Sequence, residues 1–242
     1  MNKTLTDTQE LIIMDKILRM EPYTYDKLAK NIESNNFINP EQKLKQEFRN
    51  LIKNRNIYLQ DIVSYATRPM RDGETDGVEH YFITPEIAKE KLEKESILAY
   101  TKIGEFEYFA TVEALRGSNL YIIDPEGIRY LKEKNPNLNT KTIYISIPDS
   151  IREERCKTRS DYETSYLKRY NSENDQFTKF EQEEKWDLKI ENIDLLLAVY
   201  KFVSYVIECM YYDRPLFLVT ARTGSGKDTL IREAKRIING EG

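Results

Sequence analysis

The sequence predicts an α/β fold with a central parallel sheet, preceded by a small helical unit. From Ile57 onward, short β-rich runs alternate with helical patterns, as in a layered α/β domain. Three of the short runs are almost entirely apolar, which is typical of strands buried on both faces of a parallel sheet. These runs are NLYIID at 119–124, TIYISI at 142–147 and LFLVT at 216–220.

Residues 1–56 show helical periodicity. Apolar residues recur at three- and four-residue steps in TQELIIMDKILRM, TYDKLAKNI and PEQKLKQEFRNLIKNR. We therefore place a domain boundary near residue 56. One interpretation of the first segment is a winged-helix-like unit that binds DNA or a partner protein.

Short β-rich runs and apolar residues at three- and four-residue steps predict the remaining strands and helices. Further strands are predicted at IYLQDIVSYAT, HYFIT and ILAYTKI. Helices are predicted at PEIAKEKLEK, PEGIRYLKEK, DSIREERCK, DYETSYLKRY and IDLLLAVYKFVSYVIECM. The stretch from Arg152 to Glu191 is rich in charge and tyrosine, so we expect it to cover a site as a mobile lid rather than to build a core.

Composition excludes several classes of protein. The 242 residues carry 37 Lys+Arg against 41 Asp+Glu, and a net charge of −4 gives no basic field for a DNA duplex. No apolar run approaches the ~20 residues that cross a bilayer, and the start MNKTLTDTQE has no apolar signal core. We expect a cytoplasmic protein with no membrane partner, as a monomer or homodimer, and nucleic-acid binding is the minority interpretation. With two distant cysteines and one histidine, any metal must be held by oxygen.

The segment PLFLVTARTGSGKDTLIREAKRII, residues 215–238, predicts a phosphate-binding loop between a strand and a helix. Glycines let backbone N–H groups approach phosphates, the helix N-terminus adds partial positive charge, and Lys227 adds a full one. Ala221 replaces the usual first glycine, and Asp228 replaces the hydroxyl residue that touches magnesium, with Thr229 next. The predicted ATP-binding residues are Ala221, Arg222, Thr223, Gly224, Ser225, Gly226, Lys227, Asp228 and Thr229, of which Asp228 and Thr229 are the predicted Mg²⁺ ligands.

Two groups of arginines are further candidates. Arg68 and Arg71 follow a predicted strand beside Ser64, and two guanidinium groups suit a dianionic phosphate. Arg159 and Arg169 lie on the predicted lid, where positive charge would assist phosphoryl transfer. Taken alone, the first group also fits surface arginines in a loop, and the second fits a solvated helix face.

In combination these segments resemble the guanylate kinase family over roughly residues 57–242. SYATRPMRDGETDGVEHYFIT resembles that family's GMP-phosphate segment, NLYIIDPEG its acidic strand and turn, and TIYISIPDSIREERCKTRSD its strand and lid. KWDLKIENIDLLLAVYKFV resembles the family's terminal strand and helix, and LFLVTARTGSGKDTL its P-loop. Since the P-loop opens the chain in that family and closes it here, the sequence predicts a circular permutant. The resemblance implies a monophosphate-binding part at 57–118, a lid at 152–186 and the P-loop strand and helix at 215–242.

The resemblance also implies roles for single residues. Ser64 and Thr111 would contact guanine, Asp124 would lie near the acceptor and magnesium, and Lys227 would bridge the β- and γ-phosphates of ATP. The implied GMP-binding set is Ser64, Arg68, Arg71, Tyr81, Tyr108, Thr111 and Asp124, and the implied catalytic set is Lys227, Arg159 and Arg169.

The chain departs from the family pattern at four points. His80 with Tyr81 stands where the family has a phosphate-binding Tyr, and Phe109 replaces one of two tyrosines. The guanine-reading Glu has no match near Ala99, so Glu105 or Glu107 would substitute. Ile122 stands where a further Asp is frequent.

The implied function is an ATP- and Mg²⁺-dependent nucleoside monophosphate kinase acting on GMP or dGMP. The alternative is a non-catalytic module of the same fold that binds a phosphorylated partner or a nucleotide. ATP turnover with a panel of monophosphates discriminates the two.

Overall fold

The computed structural model describes residues 4–20, 40–157, 167–183 and 185–240. Its helices are α1 (Asp7–Met20), α2 (Pro40–Asn54), α3 (Pro85–Lys94), α4 (Pro125–Lys134), α5 (Asp149–Lys157), α6 (Leu167–Glu183), α7 (Leu195–Tyr212) and α8 (Lys227–Asn239). Its strands are β1 (Ser64–Ala66), β2 (His80–Phe82), β3 (Ile97–Ile103), β4 (Phe106–Thr111), β5 (Leu120–Ile122), β6 (Thr140–Ser146), β7 (Leu188–Glu191) and β8 (Leu216–Ala221). The predicted helix TYDKLAKNI lies outside the described residues.

The chain forms two compact units. One comprises Met1–Tyr58, Asn192–Arg214 and Gly226–Gly242, and the other Leu59–Glu191 and Pro215–Ser225. The predicted boundary near residue 56 lies close to the first point at which the chain passes between them. The helices α7 and α8 group with the N-terminal helices, whereas the sequence placed them in the second domain.

The first unit is helical in its described part, and α8 is joined to the N-terminal segment by hydrogen bonds. The backbone N–H of Leu5 donates to the Oε2 of Glu233 at 3.1 Å, and Arg236 donates to the carbonyl of Leu5 at 3.0 Å. Arg49 on α2 donates to the carbonyl of Ile237 at 2.8 Å, near the C-terminus of α8 where backbone carbonyls lack helical partners. The winged-helix-like interpretation of residues 1–56 stays a prediction.

The helix α7 is long and apolar enough to cross a membrane by length and composition, with a mean hydropathy of 1.3. Its side chains Ala198, Val199, Phe202 and Val203 are fully buried, and it packs against α8 within the first unit. A buried core helix has the same composition.

The second unit contains two four-stranded sheets. The first has the order β2-β1-β4-β3, in which β1 and β2 are parallel and β4 is antiparallel to both β1 and β3. Cα partners across this sheet are Ser64 with His80, Ala66 with Tyr108, and Thr101 with Tyr108. Because side chains alternate between faces along a strand, these residues share one face.

The second sheet is entirely parallel, with the order β5-β8-β6-β7. The last strand of the chain, β8, lies between β5 and β6, and its side chains from Leu216 to Thr220 are buried. The segment LFLVT therefore lies between strands formed earlier in the chain and is not an edge strand. The prediction that the three apolar runs are parallel strands is confirmed. Burial on both faces holds for residues 216–220 of β8 and for Ile143, Tyr144 and Ile145 of β6, whereas Ile122 of the edge strand β5 is 39% exposed.

The stretch from Arg152 to Glu191 differs from the expectation, because part of it builds core. Phe177 and Phe180 on α6 are buried in a cluster with Tyr144, and β7 is a strand of the parallel sheet. The cluster is rich in aromatic contacts, with the ring of Trp186 centred 5.2 Å from that of Tyr144 and 5.6 Å from that of Phe180. Few apolar residues suffice to form core in this stretch, because Phe177, Phe180 and Trp186 are large aromatic side chains.

Candidate functional site

The predicted phosphate-binding loop, which we call the phosphate loop, connects the carboxyl end of β8 to the first residue of α8. Gly224 and Gly226 both have positive φ, +85° and +79°, a backbone conformation that glycine adopts without steric cost. A Cβ at Gly224 would overlap the Sγ of the buried Cys156 and lie 3.1 Å from the Cγ of Arg152. The loop therefore lies directly on α5, and glycine is required at residue 224 by both conformation and space.

The two loop residues before Gly224 are held by carboxylates on α6. The N–H and the Oγ1 of Thr223 donate to Glu173 at 2.9 and 2.5 Å. The Nε and Nη2 of Arg222 donate to the two oxygens of Glu181 at 3.0 and 2.8 Å. Ser225 is buried, and its N–H donates to the carbonyl of Arg222 at 3.2 Å.

The first turn of α8 presents the predicted charged residues. The helix begins at Lys227, and the Nζ of Lys227 lies 3.4 Å from the Oδ1 of Asp228. The carboxylate of Asp228 is 80% exposed and stands at a helix N-terminus, which favours negative charge. Thr229 follows in the same turn and is partly exposed.

A second group of polar residues gathers on one face of the first sheet. The Oγ of Ser64 and the Nδ1 of His80 share a hydrogen bond of 2.9 Å, and the hydroxyl of Tyr121 also bonds to Ser64. Burial lowers the pKa of His80, and the positive charge of Arg68 lowers it further, so the imidazole is neutral at pH 7. The ring of Tyr108 lies 5.7 Å from that of His80.

Arg68 and Arg71 flank Glu74, which the sequence analysis did not single out. The Nη1 and Nη2 of Arg68, a side chain only 6% exposed, each donate to a Glu74 oxygen at 2.6 Å. The N–H of Arg71 donates to Glu74 at 2.8 Å, while its guanidinium is 45% exposed and 3.9 Å from the same carboxylate. The hydrogen bonds from Arg68 lower the pKa of Glu74 to about 2 despite its burial. Its position three residues after Arg71 in RDGE was the available sequence signal.

Thr111 and Asp124 lie at the ends of strands. Thr111 is buried at the end of β4, and Asp124 follows β5, where its Oδ1 accepts from the N–H of Gly127 at 3.0 Å and caps α4. Burial raises the pKa of Asp124, although the bonds from Gly127 and Thr101 oppose the shift. Thr101, buried on β3, was missed by the sequence analysis.

Tyr81, Glu107 and Thr111 lie on the other face of the first sheet, because Glu107 and Thr111 alternate with Tyr108 along β4. Tyr81 is the Cα partner of Tyr65, and their rings are 5.2 Å apart. Glu107 accepts from the hydroxyl of Tyr100 at 2.8 Å, and burial together with this carboxylate raises the pKa of Tyr100 to about 12. Strand alternation therefore separates Tyr81 and Glu107 from Ser64, and the structure brings His80, rather than Tyr81, to Ser64.

The lid residues are described only in part. Arg169 lies in the first turn of α6, and Arg159 lies outside the described residues.

A glycine-rich loop that leads from the carboxyl end of an inner parallel strand into a helix is the arrangement found in the P-loop class of nucleotide-binding proteins. Within that class, the sequence model of the guanylate kinase family matches residues 37–208. The chain therefore belongs to the guanylate kinase family. The match ends before the phosphate loop.

Two guanylate kinase sequences and one solved guanylate kinase structure are similar to this chain. The guanylate kinase of Buchnera aphidicola subsp. Schizaphis graminum is 26% identical over 176 residues, which cover 68% of this chain and 83% of the relative. That of Aliivibrio fischeri is 30% identical over 152 residues, 60% of this chain and 71% of the relative. The crystal structure of guanylate kinase from Anaplasma phagocytophilum matches with a TM-score of 0.47 and 18% identity, covering 67% of this chain and 81% of that one.

Proposed function

We propose that the protein is an ATP-dependent nucleoside monophosphate kinase that transfers the γ-phosphoryl group of ATP to GMP or dGMP. The observation that carries this proposal is the family match over residues 37–208 in a chain that also has a phosphate loop followed by Lys227. The relatives that match are named guanylate kinases.

On the donor side, the loop N–H groups and the start of α8 would bind the phosphates of ATP. Lys227 supplies the full positive charge, and the helix N-terminus adds a partial one. Such charges accelerate transfer because they act where negative charge develops in the transition state.

The oxygens of Asp228 and Thr229 fit a Mg²⁺ ion that is held mainly by substrate phosphates. No group of three or more His, Cys, Asp or Glu side chains gathers as a metal site in the described parts of the chain. Mg²⁺ is commonly held by one or two protein oxygens together with substrate phosphates. Asp228 and Thr229 would supply those oxygens, and the bound cation would neutralise charge on the phosphates.

On the acceptor side, Arg71 would bind the monophosphate through its exposed guanidinium. Arg68 is fixed by Glu74 and the carbonyl of Pro69 and would present an N–H of Nη2 or Nε to the same phosphate, beside the neutral His80. We assign the phosphate contact to His80 in preference to Tyr81, because the register puts His80 on the face of Ser64. Ser64, Tyr108 and Asp124 would surround the base and ribose, whereas strand alternation puts Thr111 on the face of Phe109 and Tyr81.

Arg159 and Arg169 would neutralise charge on the transferring group as the lid excludes water. The protein would then orient the two substrates for in-line transfer.

We also propose that the chain is a circular permutant of its family. Three observations support this: β8 is the central strand of the parallel sheet, the family match stops at residue 208, and residues 1–72 contain no glycine and hence no earlier phosphate loop. Truncation after Asp213 tests it, since loss of a central strand leaves a gap through the core. We expect loss of cooperative unfolding and of ATP binding, and a truncated protein that melts like the full chain would contradict the permutation.

Turnover tests the function. We expect ADP formation from ATP with GMP or dGMP at rates well above those with AMP, CMP or UMP. A protein that binds phosphopeptide and turns over no monophosphate would instead be the non-catalytic module of the same fold. We further propose a cytoplasmic location and a monomer or homodimer, which cell fractionation and size-exclusion chromatography test.

A further inference from the structure

Three residues on α6 contact the phosphate loop at a spacing of four. Glu173 bonds to Thr223, Glu181 bonds to Arg222, and between them the ring centre of Phe177 lies 5.4 Å from the guanidinium carbon of Arg222. Residues four apart on a helix are neighbours on one side. The contacts therefore form a continuous stripe along α6, which we call the loop-facing stripe (Glu173, Phe177 and Glu181).

The C-terminal end of the stripe is firmly anchored. Glu181 also accepts from the hydroxyl of Tyr144 on β6, and Phe177 and Phe180 pack in the aromatic cluster with Tyr144. Burial opposes charge on Glu181, yet the bonds from Arg222 and Tyr144 lower its pKa, so the ion pair with Arg222 persists at neutral pH. This end of α6 needs no nucleotide to hold it against the loop.

Glu173 is the residue of the loop-facing stripe that lies nearest the N-terminus of α6. It extends the contact one turn beyond Phe177, through two hydrogen bonds to a single loop residue. Arg169 precedes Glu173 by four residues, so its Cα lies one further turn along the same side of the helix. A shift of this turn by about 1 Å would displace a catalytic group enough to cost up to ~100-fold in rate.

We propose that Glu173 is a positioning residue, which fixes the first turns of α6 to Thr223 and thereby sets the place of the helix turn that carries Arg169. This inference rests on the proposed kinase function. It adds a residue that acts through Arg169 and makes no contact with substrate.

The test is a double-mutant cycle on the full chain. We expect Glu173→Ala to lower kcat at least ~10-fold while the KM for each substrate changes less than ~3-fold. In an Arg169→Ala background, Glu173→Ala should lower kcat less than ~3-fold further, because the group that it positions is gone. Glu173→Gln should recover activity to within ~3-fold of wild type, because the amide oxygen still accepts from Thr223.

Asp175→Asn is the matched control, since Asp175 is an exposed acid on the same helix and the same charge is removed. It should leave kcat unchanged. Trp186, the only tryptophan of the chain, contacts Phe180 in the anchored end of α6, so its fluorescence reports whether that end stays in place. We expect the emission of Glu173→Ala and of Asp175→Asn to match wild type, because Glu173→Ala releases only the first turns of α6. A changed emission in Glu173→Ala would show a wider loss of structure and would overturn the positioning role.

Several outcomes overturn the positioning role. One is a double variant whose loss in kcat equals the product of the losses in Glu173→Ala and Arg169→Ala. Another is a Glu173→Ala protein with the kcat of wild type. A lower KM for ATP in Glu173→Ala would show instead that the carboxylate competes with phosphate for the loop. If wild type itself transfers no phosphoryl group to any monophosphate, the kinase proposal falls and this inference falls with it, whereas an active wild type with an active Glu173→Ala protein overturns the positioning role alone.

Discussion

Replacement of Gly224 by alanine should be among the most destabilising single changes in the phosphate loop. A non-glycine residue in the left-handed region costs about 1–2 kcal/mol. The new Cβ would also overlap the Sγ of Cys156 and press on Arg152, both buried on α5. Overpacking of this kind costs typically about 1–3 kcal/mol. We therefore expect Gly224→Ala to lower the free energy of unfolding by about 2–5 kcal/mol, a large part of the ~5–15 kcal/mol of an average protein.

Two further variants separate the conformational cost from the steric one. Gly117 has a φ of +77°, and a Cβ added there would meet no atom within 4 Å, so Gly117→Ala should lose only the conformational part, about 1–2 kcal/mol. The double variant Gly224→Ala, Cys156→Ala removes the overlap with Sγ. Its free energy of unfolding should be about 1–3 kcal/mol higher than the sum of the two single losses predicts.

Urea titration of wild type, Gly224→Ala, Gly117→Ala, Cys156→Ala and the double variant gives these values. Equal losses for Gly224→Ala and Gly117→Ala, or no recovery with Cys156→Ala, would refute the close packing of α5 against the loop.

Lys227→Ala should lower kcat at least ~100-fold with little change in melting temperature, as expected for removal of one group that stabilises the transferring phosphoryl, and near-normal turnover would refute the loop assignment. Arg71→Ala should raise the KM for GMP about 10-fold or more and leave the KM for ATP unchanged, because an exposed charge-assisted contact to the acceptor is lost; the reverse pattern would mean that the two nucleotide sites are exchanged. Glu74→Gln should destabilise the protein at pH 7 by about 1–2 kcal/mol, since a pKa displaced from 4.5 to about 2 is worth at most about 3 kcal/mol before screening by solvent. Because the folded pKa of Glu74 is depressed, its contribution is present above pH 4.5 and is lost as pH falls toward 2; a difference between wild type and Glu74→Gln that stays constant from about pH 6 to about pH 2.5 would contradict this ion pair.

Helix positions could be predicted from the sequence where the signals are local. The predicted bounds of α3, α4 and α5 equal the observed ones. Thr84 and Asp124 cap helices whose first residues are Pro85 and Pro125, and both caps accept from a backbone N–H three residues later. These interactions lie within a single turn, so the sequence contains all the information about them.

Other elements could not be recognised from local pattern. The strand β4, FEYFAT, was not predicted as a strand, although it pairs along its length with β3 across the turn at Gly104. Most of α6 was not predicted either. Its sequence is largely polar, and the two phenylalanines through which it packs on the core, Phe177 and Phe180, do not form a recognisable apolar pattern. In both cases the partner surface, rather than the segment itself, supplies the stabilisation.

By itself, the sequence determined the parallel strands, the strand–loop–helix of residues 216–239 and the arginines beside Ser64, because apolar runs, glycines and charges are properties of single segments. Only the tertiary structure decided that His80 rather than Tyr81 faces Ser64, since strand register sets the face of every side chain. It also decided that Glu74 fixes Arg68, and that Glu173 and Glu181 fix the phosphate loop. The two loop contacts join residues 41 and 50 positions apart, and such pairs form only when the fold brings their segments together.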